Sequence, residues 1–253
     1  MTIFRKKNNK NITKERVRAF EIDNLLGSEC KFENIYRTAK GINDENFVIL
    51  AEPFGQNENC YESSKTIVDI FPAFLPQIQT FANPLVFIQR TLYVGATMLM
   101  NLSMINPQYD TRCRISGFLT TNNNLYAFVV GSATIAIYDQ ELNIVRIGKN
   151  SDSFIKKHFE KKSNLSFEQM KNEAQNWHFS STIIDMPIDI VELPKLKESE
   201  ILLLFNNNFY EQISSVELSK IISNSNFEIN MAKSIVKKSK IKTEKNVSVI
   251  VYR

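Results

Sequence analysis

Between residues 95 and 147 the chain carries five short apolar runs in succession, at 95–105, 113–121, 125–130, 134–138 and 143–147. Turn residues punctuate them. Asn122-Asn123-Asn124 lies between the second and third runs, and Asp139, Gln140 and Asn143 lie between the fourth and fifth. Asparagine and aspartate side chains hydrogen-bond their own backbone and tolerate left-handed conformations, so such clusters reverse a chain within a few residues. Strands joined that tightly pair antiparallel, because a parallel pair needs a crossover of about a dozen residues or more. The block therefore reads as a meander, and not as part of a doubly wound parallel sheet.

The flanking sequence supplies helices and further strands. Residues 31–51 read as two strands around the turn Gly41-Ile42-Asn43-Asp44, the second being Phe47-Val48-Ile49-Leu50, which stops at Glu52-Pro53-Phe54-Gly55-Gln56. A helix fits residues 57–70, where Cys60, Ser64, Ile67, Val68 and Phe71 recur at three- and four-residue spacing and Pro72 ends it. A second helix is expected over 84–92. Residues 151–178 are charged and helical, with Ser166 and Gln169 placed as a capping box. An extended stretch at 183–193 and a strand at 201–205 follow. Ser214 with Glu217 opens another helix, residues 228–240 form the last one, and the chain closes on the strand Val247-Ser248-Val249-Ile250-Val251. This order implies an α+β fold, an antiparallel β-sandwich flanked by helices.

Composition narrows the function classes. The 253 residues are 43 % hydrophobic, ample for a core. Residues 1–15 read as a basic arm without structure, and residues 16–253 as one domain. The net charge of +4 is concentrated in that arm and in residues 233–245, which makes nucleic-acid binding on charge alone a minor expectation. Cys30, Cys60 and Cys113 form no Cys-x-x-Cys pair, and His158 and His178 are the only histidines, so neither a zinc site nor a disulfide framework is expected. Free thiols fit a cytoplasmic location. The N-terminus lacks an apolar signal region, and the apolar stretches around 92–105 and 125–138 are too short and interrupted to span a bilayer.

Five stations, in order, resemble the metal-dependent Ser/Thr protein phosphatases of the PP2C type. Ala51-Glu52-Pro53-Phe54-Gly55-Gln56 stands where that family has Phe-Asp-Gly-His-Gly-Gly, and Gly95-Ala96-Thr97 looks like its Gly-Ser-Thr at a strand start. Ala127-Phe128-Val129-Val130-Gly131-Ser132-Ala133 resembles Ala-Asn-Val-Gly-Asp-Ser, and residues 204–214 match the pattern of Ala-Ser-Asp-Gly-Leu-Trp-Asp-Val-Leu-Ser. Lys245-Asn246-Val247-Ser248-Val249-Ile250-Val251 is similar to Asp-Asn-Ile-Thr-Val-Ile-Val. The resemblance covers about residues 30–253 and implies a PP2C-like sandwich.

It also implies a pair of Mg²⁺ or Mn²⁺ ions held by aspartates at 52, 207 and 245 and by the carbonyl of residue 53. Two hard cations close together need several anionic oxygens to offset their repulsion. This chain has Glu52, Pro53, Asn207 and Lys245 at those positions. Glu52 keeps a carboxylate on a longer stem, Asn207 offers an amide oxygen without charge, and the Lys245 ammonium has no lone pair to donate. Ser132 replaces a further aspartate, and no Arg-x-x-Gly-Asp station occurs between 150 and 200. Lys40 is the candidate contact for a substrate phosphate. With its ligands replaced, the site is expected to hold Mg²⁺ or Mn²⁺ weakly or not at all, with no catalytic residue.

The sequence reading is therefore of a PP2C-like pseudophosphatase, not an enzyme, that serves as a protein-binding or regulatory module in signalling. An active phosphatase with a metal site rearranged on Glu52 and Asn207, and a basic-surface nucleic-acid binder, are the alternatives. The expected partner is a protein, such as a kinase or a nucleotide cyclase, or a second copy in a homodimer, met through exposed helices or the 151–180 insert.

Overall fold

The central strands of both sheets are buried on both faces, which is why they read as continuous apolar runs. The structure, a computed structural model, describes residues 20–25, 32–54, 58–81, 83–106, 111–139, 141, 144–148, 152–159, 165–181, 188–206, 213–224, 230–239 and 246–253.

One sheet comprises β2 (Ile35–Lys40), β3 (Asn46–Pro53), β4 (Cys113–Thr120), β5 (Asn124–Val130) and β8 (Ile188–Pro194), in that spatial order. The other runs β1 (Phe20–Leu25), β10 (Val247–Tyr252), β9 (Ile201–Phe205), β6 (Thr134–Tyr138) and β7 (Ile144–Gly148). All neighbours pair antiparallel. On β3 the two-residue period of a strand divides one apolar run between two cores. Val48 and Leu50 point between the sheets with Phe118, Ala127, Ile135, Leu204 and Ile250. Phe47, Ile49 and Ala51 point the other way, onto α1 (Glu58–Phe74) and α2 (Pro84–Ile105). There the rings of Phe47 and Phe71 stack at 5.1 Å and those of Phe71 and Phe128 at 5.3 Å. The outer face of the second sheet is covered by α5 (Ser215–Asn224) and α6 (Met231–Ser239), through Leu218, Met231 and Ile235 against Leu203, Phe205 and Val249. The architecture is thus helices, sheet, sheet, helices, the α+β sandwich expected. Between β7 and β8 the insert contributes α3 (Asp152–Phe159) and α4 (Phe167–Ala174), with a small core of Ile155, Phe159 and Ala174.

Three local expectations are corrected. Residues 95–105 are not a strand but the second half of α2. Asn83 caps the helix by accepting from the Val86 N–H, Pro84 opens it, and Phe87, Ile88, Leu92, Ala96 and Leu99 recur with helical period on its buried face. Gly95 lets α2 pack closely on α1, since a Cβ would fall 2.7 Å from Ile67 Cδ1 and that side chain would have to shift. Pro72 does not end α1, which runs to Phe74 before a short 3-10 turn over Leu75–Thr80. The proline removes one rung of the ladder, the bond to the Val68 carbonyl, and the α-helix continues only two residues past it. The strand β1 was not foreseen at all. Glu21 on it accepts from the Met231 and Ala232 N–H groups at the start of α6 and pairs with Arg253. By length and composition α2 could cross a membrane, although its buried residues belong to the core beside β3.

The two foreseen capping boxes form: Ser166 with Gln169, and Ser214 with Glu217. The expectation of a basic arm at 1–15 lies outside the described residues.

Candidate active site at the strand ends

Register brings the chemical residues of both sheets to one end of the sandwich. On β3 and β4, Glu52 stands opposite Arg114 and Pro53 opposite Cys113. β5 leaves the same edge at Val130, opposite Ile115, and passes through Gly131 and Ser132 into β6. Thr134, the first residue of β6, faces Phe205, the last of β9, so Asn206 emerges at this end too.

Glu52 is buried, and its Oε1 accepts from Arg114 Nη1 at 3.2 Å. Both side chains are mostly shielded, 10 % and 13 % exposed, so water screens the pair little. Arg114 Nη2 donates to the Gln175 carbonyl at 3.2 Å, and its guanidinium lies 4.3 Å from the centre of the Phe54 ring. Arg112 approaches the same ring at 5.0 Å, and the His178 ring lies 5.1 Å from it. An aromatic face between guanidinium groups favours them through its negative quadrupole.

The insert is fastened here. Trp177 presents its carbonyl to the Ser132 N–H at 2.8 Å, and Phe179 and Cys113 exchange backbone hydrogen bonds. Gly131 permits the approach. It holds φ of +79°, and a Cβ would meet His178 Cα at 2.7 Å. Two buried polar atoms at this end, Arg114 Nε and Ser132 Oγ, have no hydrogen-bond partner among the described residues.

Across the gap between the sheets runs a network of amides. Asn206 Nδ2 donates to the Asn246 carbonyl at 2.7 Å, and its Oδ1 accepts from the Ser248 N–H at 3.1 Å. Asn34, next in register beyond Ile35 and Ala51, donates to Ser248 Oγ at 2.7 Å. Asn246 Nδ2 donates to the Phe32 carbonyl at 2.6 Å. A buried amide used at both its ends fixes its orientation and ties its segments together.

Cys60 and Cys113 are both buried thiols, Cys113 opposite Pro53 in the sheet. Cys60 Sγ donates to the Phe54 carbonyl at 3.3 Å. Burial pushes the Cys113 thiol far above its ordinary range, against a hydrogen bond with Ser64 that acts the other way, so it stays protonated and unreactive.

No family model matches the sequence, and no curated protein matches it in sequence. Solved structures do match the fold. A serine/threonine phosphatase from S. agalactiae superposes with a TM-score of 0.74 at 13 % identity, over 93 % of this chain and 99 % of that one. The phosphatase Stp1 from Staphylococcus aureus gives 0.72 at 12 % identity, over 94 % and 95 %. The Mycobacterium tuberculosis serine/threonine phosphatase PstP/Ppp gives 0.71 at 12 %, over 94 % and 98 %. The chain has the PP2C-type phosphatase fold.

That comparison corrects the expectation that the chain is not an enzyme. The solved proteins sharing the PP2C-type fold over nearly their whole length are serine/threonine phosphatases, so replaced ligands in the sequence do not justify excluding activity.

Of the residues singled out from the sequence, Glu52, Pro53 and Ser132 meet at this one end. Lys40 does not join them. It pairs with Asn46 at the opposite end of β3, six residues from Glu52, or about 20 Å at the rise of a strand. Asn207 and Lys245 lie outside the described residues. Arg114, Asn34 and Asn246 were missed.

The PP2C-type fold implies a two-cation centre, and the described residues do not fit one. The carboxylate that β3 brings here is ion-paired to Arg114, the Asn206 amide is used on both sides, and no trio of His, Cys, Asp or Glu side chains able to hold a metal occurs among the described residues. A guanidinium beside the carboxylate competes directly with a metal for its oxygens.

Proposed function

We propose that this chain is a signalling protein that removes phosphate from serine or threonine side chains of proteins, at a rearranged site centred on Glu52 and Arg114. The observation that carries the reading is the superposition on serine/threonine phosphatases over more than nine-tenths of this chain and of theirs. Arg114 suits the substrate chemically, because a guanidinium takes two phosphate oxygens at once. A phosphate dianion arriving there would compete with Glu52 for Arg114 and release a carboxylate able to take a proton from the water that bonds to phosphorus, and to return it to the serine or threonine oxygen as the P–O bond to that oxygen breaks. Mg²⁺ or Mn²⁺ is held weakly, with Arg114 competing for Glu52.

The chain meets its targets as a regulatory, protein-binding module in the cytoplasm, the partner being a kinase, a nucleotide cyclase or a second copy of itself. The insert supports this part of the reading, since Arg114 joins the Gln175 carbonyl on it to the Glu52 carboxylate. Phosphate release from phosphoserine and phosphothreonine peptides by the purified chain tests the proposal. Slow, enzyme-proportional release supports it, and a folded chain that releases none from any peptide refutes it.

A further inference from the structure

At the far end of the sandwich, where β2 turns into β3, lies a pocket of about 340 Å³ that has nothing to do with Glu52. Glu45 lines it and is only 3 % exposed. Its Oε2 accepts from the Asn43 N–H at 2.8 Å and its Oε1 from Gln79 Nε2 at 2.7 Å, both neutral donors. Among the described residues no lysine, arginine or histidine pairs with it. Gly41 leaves the carboxylate its room, since a Cβ there would collide with it. A carboxylate withdrawn from water is costly unless a cation or several donors compensate it, and this one has two neutral donors.

We infer that this pocket binds an alkylammonium group, whose charge seats on Glu45. The walls define the rest of the ligand. Ile78, Phe81 and Pro84 offer an apolar side along which a methylene chain can lie, Phe81 contributing an aromatic ring to the lining. Asn122 and Asn123 offer amide oxygens to the remaining N–H groups of an ammonium, which has three donors. A divalent cation fits worse, because Glu45 is the one carboxylate lining the pocket among the described residues and such ions need more anionic oxygen. A lysine side chain of another protein and a free diamine share this chemistry.

The test is a titration of the isotope-labelled native chain, followed by amide resonances, with Nα-acetyl-lysine methylamide, with putrescine, and with the uncharged Nα-acetyl-norleucine methylamide. Both amines should move resonances of residues 43–45, 79–83 and 121–123, and the norleucine probe should bind at least tenfold more weakly. Tighter binding of the lysine probe than of putrescine assigns the source to a protein, and the reverse to a free amine. Glu45→Gln should weaken the amines at least tenfold. Phe81→Ala, which keeps the carboxylate and its turn, should weaken them at least threefold. Equal affinity for lysine and norleucine probes, shifts confined to other residues, or Ca²⁺ moving the same resonances at lower concentration than either amine would overturn the inference, whatever the variants do.

Discussion

Arg114 on β4 donates to the carboxylate of Glu52, its cross-strand partner on β3, and with its other nitrogen holds the Gln175 carbonyl of the insert. Carboxylate and insert therefore move on one guanidinium. Removing that guanidinium strands a buried charge, which is worse than removing both partners. Arg114→Met should cost roughly 3 kcal/mol of stability, and adding Glu52→Gln should recover a substantial part of it. Urea denaturation of the wild type, both single variants and the double variant measures the coupling. Strictly additive losses would show that the two side chains do not stabilise each other.

The same pair governs metal binding. Freed from Arg114, the Glu52 carboxylate is available to a dication without a competing positive charge. Arg114→Met should bind Mn²⁺ at least threefold more tightly than the wild type by isothermal titration. An unchanged or weaker affinity would mean that Arg114 does not compete for Glu52.

Asn206 is a donor at one end and an acceptor at the other, toward the Asn246 carbonyl and the Ser248 N–H. Asn206→Asp keeps the acceptor but turns the donor into a second acceptor facing a carbonyl oxygen. At neutral pH this should destabilise the fold by about 2 kcal/mol or more, the cost of a buried unsatisfied or repelled polar group. Protonating the new carboxyl restores a donor, so its deficit relative to wild type should shrink as pH falls toward 4. A deficit constant from pH 7 to pH 4 would contradict the assigned amide geometry.

Cys113 gives a pH dependence at the alkaline end. Its folded-state pKa is raised by burial above the ordinary 9.0, so below pH 9 the thiol is protonated in both states and contributes no slope. Above that the unfolded chain loses the proton and the folded chain keeps it, and stability falls by up to about 1.4 kcal/mol per pH unit. Cys113→Ala should flatten the decline between pH 9 and 10.5 in denaturant titrations. An identical slope in both chains would show that the thiol ionises equally when folded.

How much of this could be read from the sequence depended on the distance over which each signal acts. The runs at 46–53, 201–205 and 247–252 were legible because sheets covered on both sides demand apolar residues at every position. The hairpin turn at 41–44 and the boxes at Ser166 and Ser214 were legible because their chemistry is local. The second half of α2 misled because an apolar run beginning at Gly95 has no polar face to show its period: Met98, Met100, Met104 and Ile105 are exposed. β1 was hidden by its mixed residues, Glu21 and Asp23 among them. The site was legible only where it follows a strand end, at Glu52, Pro53 and Ser132. Arg114 meets Glu52 across 62 residues of sequence and Asn34 meets Ser248 across 214, and no local pattern marks either.

Turnover under a metal titration bears most directly on the claim that Glu52 and Arg114 mark a working, rearranged phosphatase site. Phosphate release from a phosphothreonine peptide by the native chain is predicted to proceed across the whole Mn²⁺ series, metal-free buffer included, and to fall at least tenfold in a folded Glu52→Ala variant. Release that is absent from the folded native chain at every metal concentration, or that Glu52→Ala leaves unchanged, would contradict it.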